Sequence, residues 1–150
     1  FSNWAERGKA YQVELIKMVD EDTNAFNRIM DAFGLPKKTD EEKAARHQAI
    51  QDATKFATEV PFKTMMLCYE CMEVVKAMAE IGNPNSVTDA GVGALAARSG
   101  VIGAFLNVKI NAAGLDDKEY ANDIISRGEK VVEMAKQMET DILNIVNSKI

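Results

Sequence analysis

The sequence has little of what metal and redox chemistry needs: one His and two Cys in 150 residues. A structural zinc takes four Cys or His ligands, which this chain cannot supply. Cys68 and Cys71 are spaced C-x-x-C, but a thioredoxin-like site needs a strand-to-helix setting, and the surrounding pattern is helical. No metal or redox function is expected, and His47, among Arg46, Gln48 and Glu42, reads as a solvated surface position. Positive charge is also scarce. The formal net charge is -5, and no Lys/Arg cluster makes the basic footprint of a nucleic-acid binder. No uninterrupted apolar run reaches the roughly 18 residues of a membrane span, and no signal-peptide layout follows Phe1. A cytoplasmic protein without a membrane segment is expected. The chain lacks an initiator Met and opens inside helix-like sequence, so it is expected to be a piece of a longer polypeptide.

What is present favours helix. Hydrophobic residues make up 47% and charged residues 27%, with eight Met and only three Pro. At this length a single domain buries roughly 70% of its unfolded surface. From Asn3 to Phe33 apolar residues recur at Tyr11, Leu15, Met18, Val19, Ala25, Phe26, Ile29, Met30 and Phe33, the 3.6-residue period of an amphipathic helix. Gly34-Leu35-Pro36 stops it. Thr39 to Glu42 reads as a capping box that opens a second helix. Pro61 removes an amide donor and crowds the preceding turn, so a break or sharp kink is expected at Val60, with a third helix from Phe62 to Ile81. Ser86 to Asp89 caps a fourth helix running to about Ala113. Asp116 to Glu119 reads as a second capping box and opens a fifth, with Tyr120, Ile124, Val131, Ala135, Met138, Ile142 and Ile145 as its buried stripe. The expected fold is all-α, an antiparallel bundle of about five helices.

Two stretches carry possible chemistry. In Val19-Asp20-Glu21-Asp22, helical phase turns Asp20 and Glu21 outward and leaves Asp22 inside the apolar stripe, four after Met18 and four before Phe26. A carboxylate facing the core or a cleft must find donors or take up a proton, which makes Asp22 either a proton shuttle or a structural ion-pair partner. On the fourth helix, Gly93, Ala97, Gly100, Ala104, Asn107 and Asn111 follow at steps of four and three. A strip of small side chains permits close helix packing or the approach of a ligand or partner helix. Its two carboxamides, in apolar surroundings, suit either an interhelical hydrogen-bond network or recognition of a flat heterocycle.

The same segments carry a resemblance. Val19-Asp20-Glu21-Asp22-Thr23-Asn24-Ala25-Phe26, Leu35-Pro36-Lys37, Thr39-x-Glu41-Glu42-Lys43, Val60-Pro61, Gly82-Asn83, Thr88-Asp89 and Gly103-Ala104-Phe105-x-Asn107-Val108-x-Ile110-Asn111 together resemble the cyclodeaminase domain of the formiminotransferase-cyclodeaminase family. The resemblance spans almost the whole chain. It implies a bundle that forms a homodimer or higher homo-oligomer, a tetrahydrofolate derivative as substrate and no metal. The implied reaction is deamination of 5-formiminotetrahydrofolate to 5,10-methenyltetrahydrofolate and ammonia. Asp22 matches the family's catalytic acid/base, while Asp89, Asn107 and Asn111 are expected to bind the folate. A formiminotransferase domain is a possible partner. The family's Gly-rich turn and first small-residue helix have no counterpart here, so residues 1–150 read as a cyclodeaminase domain lacking its N-terminal part. Lys63, Arg98 and Lys109 are candidates for an anionic folate tail. Two alternatives remain: a methenyltetrahydrofolate cyclohydrolase on the same fold, and a non-catalytic helical dimerisation module.

Overall fold

The computed structural model describes residues 2–150 and is all-helical, with no strand among the described residues. Four long helices run as α1 (Ser2–Phe33), α2 (Asp40–Ile81), α3 (Val87–Ala112) and α4 (Lys118–Asn147). A short 3-10 turn, Pro84–Ser86, precedes α3. The all-α expectation holds, with one helix fewer than about five, because the break expected at Val60 does not occur. α2 passes through Pro61 as one helix of 42 residues, about 63 Å at 1.5 Å per residue.

The continuity of α2 is supported from a neighbouring helix. A proline at 61 cannot donate to the carbonyl four residues back, that of Ala57, and its ring crowds the same group, which typically costs about 3 kcal/mol. The Asn111 side chain reaches from α3 and donates Nδ2 to Ala57 O at 2.7 Å. One orphaned carbonyl is thereby satisfied, and a hydrogen bond of this kind contributes roughly 0.5–1.5 kcal/mol.

The helix ends mostly follow the sequence signals. Glu42 N donates to Thr39 Oγ1 at 3.1 Å and Thr39 N donates to Glu42 Oε2 at 3.2 Å, a complete capping box. At α4 the box is absent. Asp117 is the N-cap and accepts from Tyr120 N at 3.0 Å, and because the third helical position is Tyr120 no carboxylate reaches back. Ser86 occupies the N-cap position of α3 without a side-chain bond. Lys149 Nζ donates to Ala79 O at 2.6 Å and Glu80 O at 2.7 Å, closing the last carbonyls of α2 with a cation where the helix dipole favours one.

α2 is the beam on which the other three helices pack, while α1 and α3 barely touch each other. The main core lies between α2, α3 and α4, around Met65, Met72, Val101, Val108 and Ile142, all fully buried. Each such side chain contributes roughly 1.5–3 kcal/mol on leaving water. A smaller cluster, Met18, Ala25, Ala57 and Val60, joins α1 to α2. On α4 the expected stripe is buried at Ile124, Val131, Ala135 and Ile142 and half-buried at Tyr120, Met138 and Ile145.

α3 is apolar nearly all round. The segment Pro84–Ala112 is long and apolar enough to cross a bilayer by length and composition, with 28% of its most apolar window buried inside the fold. Asp89, Arg98 and Lys109 interrupt it. Its outward residues Val92, Leu95, Leu106 and Ile110 are exposed, as are Ile16, Val19, Phe26 and Met30 on α1.

Candidate functional site

Because α1 and α3 both lie on α2 and scarcely pack on each other, a furrow opens between them. One hollow of about 370 Å³ is lined by Leu15, Met18, Val19 and Asp22 of α1, Pro61 and Thr64 of α2, and Gly100, Gly103, Ala104 and Asn107 of α3. This falls within the usual range for small-molecule pockets. Asp22 is the single charged residue among its walls.

Of the two settings expected for Asp22, core or cleft, the structure gives the second. Met18 is buried, but Asp22 is exposed on the furrow's edge. α1 packs only against α2, so its buried line (Met18, Ala25, Ala32) is narrower than its apolar stripe. Four residues past Met18, Asp22 is turned about 40° off that line. The rotation carries it out of the interface and towards α3.

Asn107 stands across from it. It is exposed, and its Nδ2 donates to Gly103 O at 3.3 Å within its own helix. The small residues explain the shape. A Cβ on Gly100 would sit 2.8 Å from Cys68 Sγ, so glycine there lets α3 approach α2. A Cβ on Gly103 would meet nothing within 4 Å, so glycine there widens the furrow. The strip thus divides between the two roles open to it, close packing at one residue and an open wall at the next.

The structure does not gather all the expected site residues. Asp89 lies in the first turn of α3 and lines a different, apolar hollow of about 380 Å³ with Val74, Val75, Met78 and Gly93. Eighteen residues separate it from Asn107, about 27 Å along the helix axis. Asn111 is not among the residues lining the Asp22 hollow, and its Nδ2 is committed to Ala57. Leu15, Pro61 and Thr64 line the furrow, although sequence reasoning did not select them. Leu15 belongs to the apolar stripe of α1; the only signal for Pro61 and Thr64 was helical phase on both sides of the proline, which an expected break obscured.

The proposed tail-binding cations are engaged elsewhere. Arg98 Nε pairs with Glu139 at 2.7 Å on the α3–α4 side. Lys63 lies 4.0 Å from Glu14, and Lys109 Nζ sits 4.9 Å from the Phe105 ring centroid. None lines the Asp22 hollow. His47 is exposed, as expected, and pairs with Asp116 at 2.5 Å. Burial holds both cysteine thiols protonated, raising Cys68 and pushing Cys71 up to about 11. A reactive thiolate pair is the opposite of this arrangement.

Fold and furrow define an all-helical domain in which two helices bring one carboxylate and one carboxamide to the walls of a single hollow. The formiminotransferase-cyclodeaminase profile matches residues 1–130, and the chain belongs to that family. It is 41% identical to a methenyltetrahydrofolate cyclohydrolase of Methylorubrum extorquens, over 97% of this chain and 70% of that protein. It is 33% identical to a formimidoyltransferase-cyclodeaminase of Gallus gallus, over 91% of this chain but 25% of that longer protein. Among solved structures, a formiminotetrahydrofolate cyclodeaminase from Thermotoga maritima superposes with a TM-score of 0.80 at 18% identity. That match covers 93% of this chain and 66% of the other and speaks for the fold.

Proposed function

We propose that this chain carries the folate-processing site of a formiminotetrahydrofolate cyclodeaminase, with Asp22 as its acid/base. The observation that carries this reading is the shared furrow, in which Asp22 is the single charge and Asn107 stands opposite. Nitrogen 10 of the folate attacks the formimino carbon held on nitrogen 5. Asp22 takes the nitrogen 10 proton and passes it to the departing nitrogen. A second proton, drawn from water, lets ammonia leave, and the 5,10-methenyl cation remains. The ring closure is intramolecular, so holding the two nitrogens in a near-attack pose contributes much of the rate. The Asn107 amide supplies a donor and an acceptor to the pterin edge. Asp89 can meet only the far end of an extended ligand.

A second reading is supported by the 41% identity to the Methylorubrum cyclohydrolase. There Asp22 would activate water against the methenyl carbon, giving 10-formyltetrahydrofolate. Both reactions act on the same bridging carbon between the same two nitrogens. The exposed apolar residues on α1 and α3 also support a homodimer, since an association that covered them would take apolar surface out of water. The same family membership supports a formiminotransferase partner and a cytoplasmic setting.

The test runs ammonia release from 5-formiminotetrahydrofolate beside methenyltetrahydrofolate hydrolysis, with wild type and Asp22→Asn at pH 7. Loss of one activity in the mutant, with helicity retained, identifies the reaction and the acid/base together. Full activity in Asp22→Asn sinks the assignment.

A further inference from the structure

Asn107 and Asn111 lie four residues apart on one helix, yet the structure uses them differently. Asn107 is an exposed wall of the furrow, whereas Asn111 is half-buried and donates Nδ2 to Ala57 O at 2.7 Å. Ala57 is the residue whose carbonyl Pro61 leaves without its helical donor. Pro61 in turn lines the furrow beside Asp22. Three features therefore stand in series: a carboxamide on α3, an orphaned carbonyl on α2, and the proline that both orphans that carbonyl and forms the furrow's wall.

We infer that Asn111 is a positioning residue for this site: it supplies the hydrogen bond that Pro61 cannot make, and so fixes the Pro61–Thr64 segment against Asn107. The inference rests on the reading of the furrow as the folate site. The neighbourhood supports it, since Thr64 Oγ1 donates to Val60 O at 3.1 Å and Thr58 Oγ1 to Thr54 O at 2.8 Å. These bonds engage Thr54 O and Val60 O, on either side of Ala57, and leave Ala57 O to Asn111. The Asn111 bond also crosses between helices, setting the height of α3 over α2 one turn beyond Asn107. A carboxylate in place of the carboxamide has no N–H to donate, so Asp must fail where Asn succeeds. An alanine at 61 returns the backbone N–H to Ala57 O, so the need for Asn111 must fall in that background.

The experiment is a kinetic cycle on the full chain: wild type, Asn111→Ala, Asn111→Asp, Pro61→Ala and Pro61→Ala/Asn111→Ala. Each is assayed for kcat/KM on both folate substrates, with circular dichroism as the check on folding. Asn111→Ala and Asn111→Asp are expected to lose about tenfold in kcat/KM, the size of one lost hydrogen bond. In the Pro61→Ala background, Asn111→Ala is expected to cost less than about twofold. An equal loss in both backgrounds, or no loss in either, overturns the inference. If the wild type turns over neither substrate, the folate reading fails separately. The cycle is then read by hydrogen exchange at the amides of Thr64 and Met65. Asn111→Ala must speed it with Pro61 present and leave it unchanged in the Pro61→Ala background; any other pattern overturns the inference.

Discussion

Replacing Gly103 with alanine tests the furrow's openness with a single methyl group. Glycine in a helix interior costs about 0.5–1 kcal/mol relative to alanine. A Cβ at 103 would meet no atom within 4 Å, so nothing offsets that gain. Gly103→Ala is therefore expected to stabilise the chain by about 0.5–1 kcal/mol, raising Tm by roughly 2–3 °C for a domain of this size. Gly128→Ala is the control. It gains the same propensity, but its methyl would overlap the ring of Phe105, which is only 7% exposed and cannot swing into solvent. Overpacking of this kind costs about 1–3 kcal/mol, so the net change there is a loss. Urea denaturation of the two variants should give opposite signs. Folate turnover should fall in Gly103→Ala although its stability rises, because the methyl is added to a wall of the hollow that Asp22 and Asn107 also line. A destabilised Gly103→Ala would refute the reasoning, since it would mean that the wall is covered by something packed against Gly103.

Other expectations follow from local geometry. Because burial pushes Cys71 up to about 11, its alkylation by iodoacetamide at pH 8 should run at least a hundredfold slower than that of a free thiol near 8.5, roughly the ratio of thiolate fractions. The same shift gives a pH dependence. The folded pKa lies above the unfolded one, so the stabilisation is complete below about pH 8.5 and is lost as pH rises through about 11. Cys71→Ala should flatten urea midpoints over that window. Glu139→Ala leaves Arg98 partly buried without its 2.7 Å partner and should cost roughly 1–3 kcal/mol, measured by thermal melts; a change under a few tenths would refute it. Thr39→Ala removes the α2 capping box and should cost about 1 kcal/mol, visible as a lower urea midpoint with turnover per folded molecule unchanged.

The order of the helices was legible in the sequence because amphipathic period and stop signals are local. Thr39 and Glu42 identify a cap from four residues alone, and Gly34-Leu35-Pro36 stops α1 without reference to the rest. Pro61 misled for the opposite reason: the group that satisfies its orphaned carbonyl, Asn111, lies 54 positions from Ala57. The fate of Asp22 was half legible. Phase placed it inside the apolar stripe, facing core or cleft, but only the packing of α1 on a single neighbour showed that this side of the stripe borders a furrow. Asp89 was joined to the site by resemblance and by nothing in its spacing. The division of labour between Gly100 and Gly103 also required the neighbouring helix.

The modest attachment of α1 has a thermodynamic corollary. Only Met18, Ala25 and Ala32 are buried along its 32 residues, so its amides belong to the low-stability end of the molecule and should exchange hydrogen ahead of those in α2–α4. The carboxylate that faces the furrow rides on this lightly held element. A ligand bridging Asp22 and Asn107 would therefore act as a clasp, adding RT ln(1 + [L]/Kd) to the free energy that keeps α1 docked, about 2.7 kcal/mol at a hundredfold excess over Kd. Binding and the local ordering of α1 become one equilibrium, so slowed exchange along α1 would report occupancy of the furrow.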